Sequence, residues 1–257
     1  MIHAVWNMLL AGARDPEAAT AVVLPVSVVA CAPAAIVFWE LDRAAWPFIA
    51  TSSALELAYF GFLAAAYRRA ELSVVYPLAR GLAPVLVLAG AVALTGAGTS
   101  PGQIAGVVLV ASGILLVRGA HRGRGVGFGL VIACCIAAYT VVDKHGVAHA
   151  SPLAYYELIT IPMAIAYLGT FVAMRGTAPV RAAFGWRTVV AGIATFAAYG
   201  LVLAALKLAP AASVAAVRET SVLVAAVLGA LVLREPVTRW RFAGAALVAG
   251  GVALLAA

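Results

Sequence analysis

Charge is what this sequence has least of. Only 11% of its 257 residues are Asp, Glu, Lys or Arg, against 65% hydrophobic residues and a mean hydropathy of +1.07. So little polar surface excludes a soluble domain of this length and leaves an integral membrane protein. The three cysteines, Cys31, Cys134 and Cys135, all lie inside apolar runs and are expected to pack as small hydrophobes without a disulfide. Histidine is equally scarce. His145 and His149 stand four apart near Asp143, a spacing that could face one metal on a helix. Gly146 between them and Pro152 after them favour a solvated loop instead, so no metal is expected. HExxH, GxSxG, Walker and cysteine–histidine signatures are missing, which argues against an enzyme. The net charge of +7 comes without a basic, aromatic-interleaved patch, so nucleic acid is not an expected partner. Long polar connections are also lacking, and no loop could hold an extramembrane catalytic module.

What remains is apolar helix. A span needs about 20 apolar residues. Such runs lie near 18–39, 46–67, 72–95, 102–117, 125–143, 152–174, 188–206, 211–233 and 239–256. A tenth, Met1–Gly12, is a fragment: twelve helical residues rise only about 18 Å against a hydrocarbon core of about 30 Å. Either the fragment lies partly in the interface, or the first helix begins some ten apolar residues upstream, which is the expectation taken.

The two halves repeat. Arg80 and Arg218 are 138 apart (218 − 80), as are Gly106/Gly244 and Gly113/Gly251. AGVVLVASGILLV at 105–117 matches AGAALVAGGVALL at 243–255. The repeats are assigned to 1–119 and 125–257. Five helices per half is an odd number, so the copies would enter the membrane in opposite directions, and inverted repeats place a solute site near the midplane. The competing explanation is that helices rich in Ala, Val and Gly resemble one another by composition. The glycines, seven apart, predict close contact between the helices 102–117 and 239–256. With Met1–Gly12 counted as helix one, odd-numbered loops carry 12 of the 17 Lys and Arg, and even-numbered ones only Arg43, Lys144 and Lys207. That bias puts both termini outside.

The stretch Val74–Pro84, VVYPLARGLAP, sets Arg80 inside an apolar run between Pro77 and Pro84. Ser213–Ser221 does the same with Arg218 and Glu219. A charge near mid-bilayer costs roughly 2.5–3.5 kcal/mol, so each needs a reason. A polar solute path is one. A structural ion pair, Arg218 with Glu56 or Arg80 with Glu219, is the other. Arg218 and Glu219 are adjacent, point about 100° apart on a helix and are not expected to pair. Ser52, Glu56 and Tyr59 share a helical face, with Glu56 too deep to reach water. Tyr139, Thr140 and Asp143 cluster on another run, Thr195 and Tyr199 on a third. Tyr155, Tyr156 and Glu157 sit near a run's end, where the interfacial aromatic belt is the reading taken for both tyrosines.

With these residues the sequence resembles the drug/metabolite transporter superfamily, in its EamA-like ten-helix branch. The carriers are His3-Ala4-Val5-Trp6-Asn7, Val74–Pro84 with Tyr76, Tyr199-Gly200-Leu201, Val217–Ser221 (VRETS) and Leu233–Pro236 (LREP). The resemblance implies two inverted five-helix repeats, no cofactor, and transport of small polar metabolites, often outward. Relatives set the HAxWN text well inside helix one and carry a lysine after its asparagine, where Ala11 or Gly12 stands here. They usually keep both termini in the cytoplasm, opposite to the charge count.

The expectation is therefore an all-α polytopic membrane protein of the bacterial inner membrane, with ten helices, the first truncated. It would export a small polar or anionic metabolite, such as an amino acid or a phosphonate-like compound. Arg80, Arg218, Glu56, Tyr59, Tyr76, Glu219 and Tyr199 are the candidate substrate-binding residues. The solute, the lipid bilayer and a second copy in a homodimer are the expected partners. The alternative is a non-transporting membrane subunit or lipid-handling accessory protein.

Overall fold

The computed structural model describes residues 13–70, 72–96, 98–118, 125–220 and 239–256. The expectations for Met1–Gly12, for the LREP text and for the end of the 211–233 run lie outside the described residues. Ten helices are described: α1 Pro16–Val37, α2 Trp46–Arg69, α3 Leu72–Thr95, α4 Pro101–Arg118, α5 Val126–Gly146, α6 Pro152–Arg175, α7 Ala178–Ala183, α8 Trp186–Leu208, α9 Ala211–Arg218 and α10 Arg239–Ala256. Five segments, Pro16–Val37, Arg43–Ala66, Val126–Gly146, Pro152–Arg175 and Trp186–Leu208, are long and apolar enough to cross a membrane. Shorter apolar stretches in α3, α4 and α10 accompany them. The chain is an all-α polytopic membrane protein.

Helix ends follow local chemistry. Asp15 caps α1 by accepting from the Ala18 amide at 3.1 Å, with Pro16 at the first turn. Ser151 caps α6 ahead of Pro152, accepting from the Ala154 amide at 3.4 Å, and Gly176 ends that helix at φ 75°. That backbone conformation suits a residue without a Cβ. Two departures from the expected runs stand out. The connection 175–187 contains the short helix α7. The run from 211 breaks early, because Glu219 and Thr220 donate their amides to Ala216 and Val217, three residues back, and close α9 with a turn.

The chain forms two compact units, one of residues 1–57 and 142–208, the other of 58–141 and 209–257. Each draws on both sequence halves, so compactness cuts across the proposed repeat. In unit one α1 packs on α6, α7 and α8. Arg175 at the end of α6 reaches Asp15 (2.7 Å) and Glu17 (3.4 Å) at the start of α1. Residues 40–42, after α1, run antiparallel to 149–151: the Ser151 amide donates to Glu40 O and the Asp42 amide to His149 O, both at 2.8 Å. His145 belongs to α5 rather than a loop, and both His145 and His149 stack on Phe48, with centroids 6.2 and 5.9 Å away.

In unit two the core is the contact of α4 with α10. A Cβ on Gly113 would stand 2.6 Å from Gly244 O, one on Gly106 2.9 Å from Gly251 O, and one on Gly251 2.6 Å from Gly106 O. Only glycine lets the backbones approach so closely. Residue 106 meets 251 while 113 meets 244, so the helices are antiparallel. The offset of 138 maps 106 to 244 and 113 to 251, and so carries one contact onto the other.

Cys31 and Cys135 are buried as expected, whereas Cys134 is exposed.

Candidate functional site

In unit two, α3 carries Arg80 and α9 ends in Arg218. Both reach one carboxylate oxygen. Arg80 Nη1 lies 3.1 Å from Glu219 Oε1, and Arg218 Nε lies 3.4 Å from the same atom. The three side chains are 6%, 5% and 1% exposed. The Arg218–Glu219 contact corrects the expectation that neighbours could not pair. The helix stops at Arg218, and the turn at Glu219 replaces the 100° helical separation. The ion pair expected of Arg80 with Glu219 is present. Glu219 is the cap of α9, while its counterpart at the 138 offset is Gly81. That glycine lets α3 approach α4, since a Cβ there would lie 3.0 Å from Leu115. Two equivalent arginines therefore share one acid that only the second half supplies. Such a cluster is chemically suited to a further anionic group, which a guanidinium fork recognises by paired hydrogen bonds.

Tyr59, in the same unit, packs edge-on against Phe60 and Tyr139 at 5.0 and 6.2 Å between centroids. Tyr76 lies on α3 four residues before Arg80.

Unit one holds its buried charge differently. Asp143, fully buried on α5, accepts from three hydroxyls: Ser52 Oγ at 2.5 Å and Tyr155 OH at 3.1 Å on Oδ1, and Tyr199 OH at 2.5 Å on Oδ2. These donors come from α2, α6 and α8, so one carboxylate ties four helices. Hydrogen bonds to a charged acceptor contribute roughly 1.5–3 kcal/mol each. Tyr156 packs on Phe196 and Tyr199 at 5.7 and 6.1 Å. Glu56 is 7% exposed and bears electrostatically on both Tyr155 and Tyr156. Glu157 is 6% exposed, and its Oε2 meets no hydrogen-bond partner among the described residues. The belt reading of the tyrosines fails, since Tyr155 and Tyr156 are 0% and 2% exposed. Gly146 is the local reason: the Tyr155 ring occupies the space that a Cβ at that position would need.

The candidates thus fall into two groups. Arg80, Arg218 and Glu219 converge in unit two, which also holds Tyr59 and Tyr76. Glu56 and Tyr199 lie in unit one. Asp143, Ser52 and Tyr155 were missed as site residues. The available signal was the neighbouring Tyr139, Thr140 and Asp143, an acid within a polar helical stripe.

This arrangement sets buried charges within the apolar helices of a polytopic membrane protein. The sequence model of the EamA-like transporter family matches residues 123–257, and the chain belongs to that family. It is thus a membrane transporter of the drug/metabolite transporter type, and the family comprises transporters rather than enzymes. A solved crystal structure of a protein superposes with a TM-score of 0.79, at 18% identity, over 99% of this chain and 94% of its own. At that identity the likeness carries the fold alone. No curated protein sequence matches.

Proposed function

We propose that the chain exports a small polar or anionic metabolite, an amino acid or phosphonate-like compound, by alternating access across the bacterial inner membrane. The observation that carries this reading is the pair of equivalent arginines on one carboxylate oxygen. A solute carboxylate or phosphonate matches the paired N–H donors of a guanidinium fork. Arg80, Arg218 and Glu219 form its anion-binding core. Tyr59 and Tyr76, in the same unit, are assigned to solute contact, while the candidates Glu56 and Tyr199 belong to unit one and are not placed with them. The antiparallel, offset-matched contact of α4 and α10 supports the inverted repeats 1–119 and 125–257 that alternating access uses. A homodimer is the assembly proposed.

Flux of labelled amino acids and phosphonate analogues into liposomes tests the reading. Saturable flux of at least one anionic solute is expected. The second reading, a non-transporting subunit or lipid-handling accessory protein, is favoured by the same Arg80–Glu219 pair taken as purely structural. Absence of flux across the panel from folded, inserted protein would select it.

A further inference from the structure

Unit one carries a groove that the transport reading does not use. Its volume is about 730 Å³, and it lies between the end of α1, the start of α6 and one face of α8. Leu153, Phe196, Ala197, Leu201 and Ala204 make its floor. A polar solute would find no hydrogen-bond partner along those side chains, so the floor suits hydrocarbon. Its polar groups are gathered elsewhere. Glu40, Ser151 and Lys207 line the groove at the helix ends, with Phe38 and Trp39 beside them, 62% and 47% exposed.

Glu40, through its backbone carbonyl, and Lys207, through its ammonium, contact the same peptide, which brings the two residues together at the rim of the groove. Glu40 O accepts from the Ser151 amide at 2.8 Å, and Lys207 Nζ donates to Ala150 O at 3.4 Å. Lys207 thereby spends one ammonium hydrogen and keeps two to donate. From Lys207 to Phe196, α8 rises about 16 Å over eleven residues, about half of the ~30 Å hydrocarbon core and so the depth of one leaflet. The groove thus has a cation and an anion at headgroup level, and an apolar channel one leaflet long beneath them.

We propose that this groove holds one zwitterionic aminophospholipid. Its phosphate sits on Lys207, its primary ammonium on Glu40, and an acyl chain lies along α8 from Ala204 to Phe196. The paired opposite charges select the headgroup. A phosphatidylglycerol offers Glu40 hydroxyl donors but no cation, and a choline headgroup carries no N–H to donate to its carboxylate. An ethanolamine headgroup satisfies both. The aromatic side chains of Phe38 and Trp39 suit the interface where that headgroup lies.

Native mass spectrometry of the full-length protein tests this, after incubation with equal amounts of phosphatidylethanolamine, phosphatidylcholine and phosphatidylglycerol. One bound phosphatidylethanolamine is expected to survive where the other two are lost. Lys207→Gln removes a charge-assisted contact and should weaken retention about tenfold. Glu40→Gln should instead shift the preference to phosphatidylglycerol. Ala204→Phe and Ala197→Phe each fill the channel at a different depth, and either should abolish retention of all three lipids with unchanged elution of the folded protein. Equal retention of phosphatidylcholine would overturn the headgroup assignment. Undiminished retention in a folded channel-filling variant would overturn the groove as the site. Neither outcome bears on solute flux, so this proposal and the transport reading stand or fall separately.

Discussion

The two compact units solve the same problem, charge inside apolar helices, in opposite ways. Unit two buries two arginines and gives them one acid, Glu219. Unit one buries three acids, Glu56, Asp143 and Glu157, and no Lys or Arg is equally buried there among the described residues. Its carboxylate Asp143 is held by hydroxyls, which neutralise nothing but satisfy lone pairs. Two guanidinium groups converging on one carboxylate oxygen are suited to recognising an anion. A carboxylate saturated with hydroxyl donors is poised to hold helices. The difference teaches that burial alone does not mark a solute site. The kind of group gathered around the charge does.

The comparison is easiest to break where backbones touch. Gly113→Leu in unit two would drive a side chain into the Gly244 carbonyl, an atom that cannot rotate away. Overpacking of this kind costs roughly 1–3 kcal/mol and more when backbone must move. Loss of folded protein in the membrane fraction is expected, read by detergent size-exclusion yield. Gly250→Leu on α10 has nothing within 4 Å and should be tolerated.

Next in size is the acid of the cluster. Glu219→Gln breaks the buried pairs of Glu219 with Arg80 and Arg218, a loss of about 3–5 kcal/mol for a broken buried pair. A large fall in thermal midpoint is expected, partly recovered in Arg80→Gln/Glu219→Gln. No recovery would mean that Arg80 does not depend on Glu219.

Asp143→Asn should be milder. The amide keeps an oxygen for Ser52 and Tyr155 but presents N–H to Tyr199, weakening bonds that contribute roughly 1.5–3 kcal/mol each. A drop in thermal midpoint smaller than that of Glu219→Gln is predicted. Equal drops would erase the distinction between the units. The smallest effect belongs to the surface. Arg175→Gln severs ion pairs to Asp15 and Glu17, but its side chain is 41% exposed, so stability should change by about 1 kcal/mol or less.

Much of this architecture was legible in the sequence because the bilayer demands it. The run expected at 72–95 is α3 at the same bounds, and 152–174 became Pro152–Arg175, bounded by a serine cap and a glycine stop. Helix ends with Asp-Pro or Ser-Pro signals announce themselves. The glycine contact of α4 with α10 was legible too, since seven-residue spacing keeps one face. Asp143 was not. Its chain neighbours, Lys144 and His145, made it look like the solvated edge of a run. Its three partners come from positions 52, 155 and 199, which no local pattern connects. The Arg218–Glu219 contact escaped for the opposite reason: it needs a helix to stop inside an apolar run, where composition alone predicts continuation.

The central claim is that the two arginines of unit two bind the anionic end of a transported solute. Flux into liposomes of an anionic substrate by Arg80→Lys and Arg80→Gln, at protein levels matched to the parent, tests it most directly. Arg80→Lys keeps the charge and loses the fork, so flux should fall with normal insertion, and Arg80→Gln should fall further. Unchanged flux in folded Arg80→Gln would contradict the account.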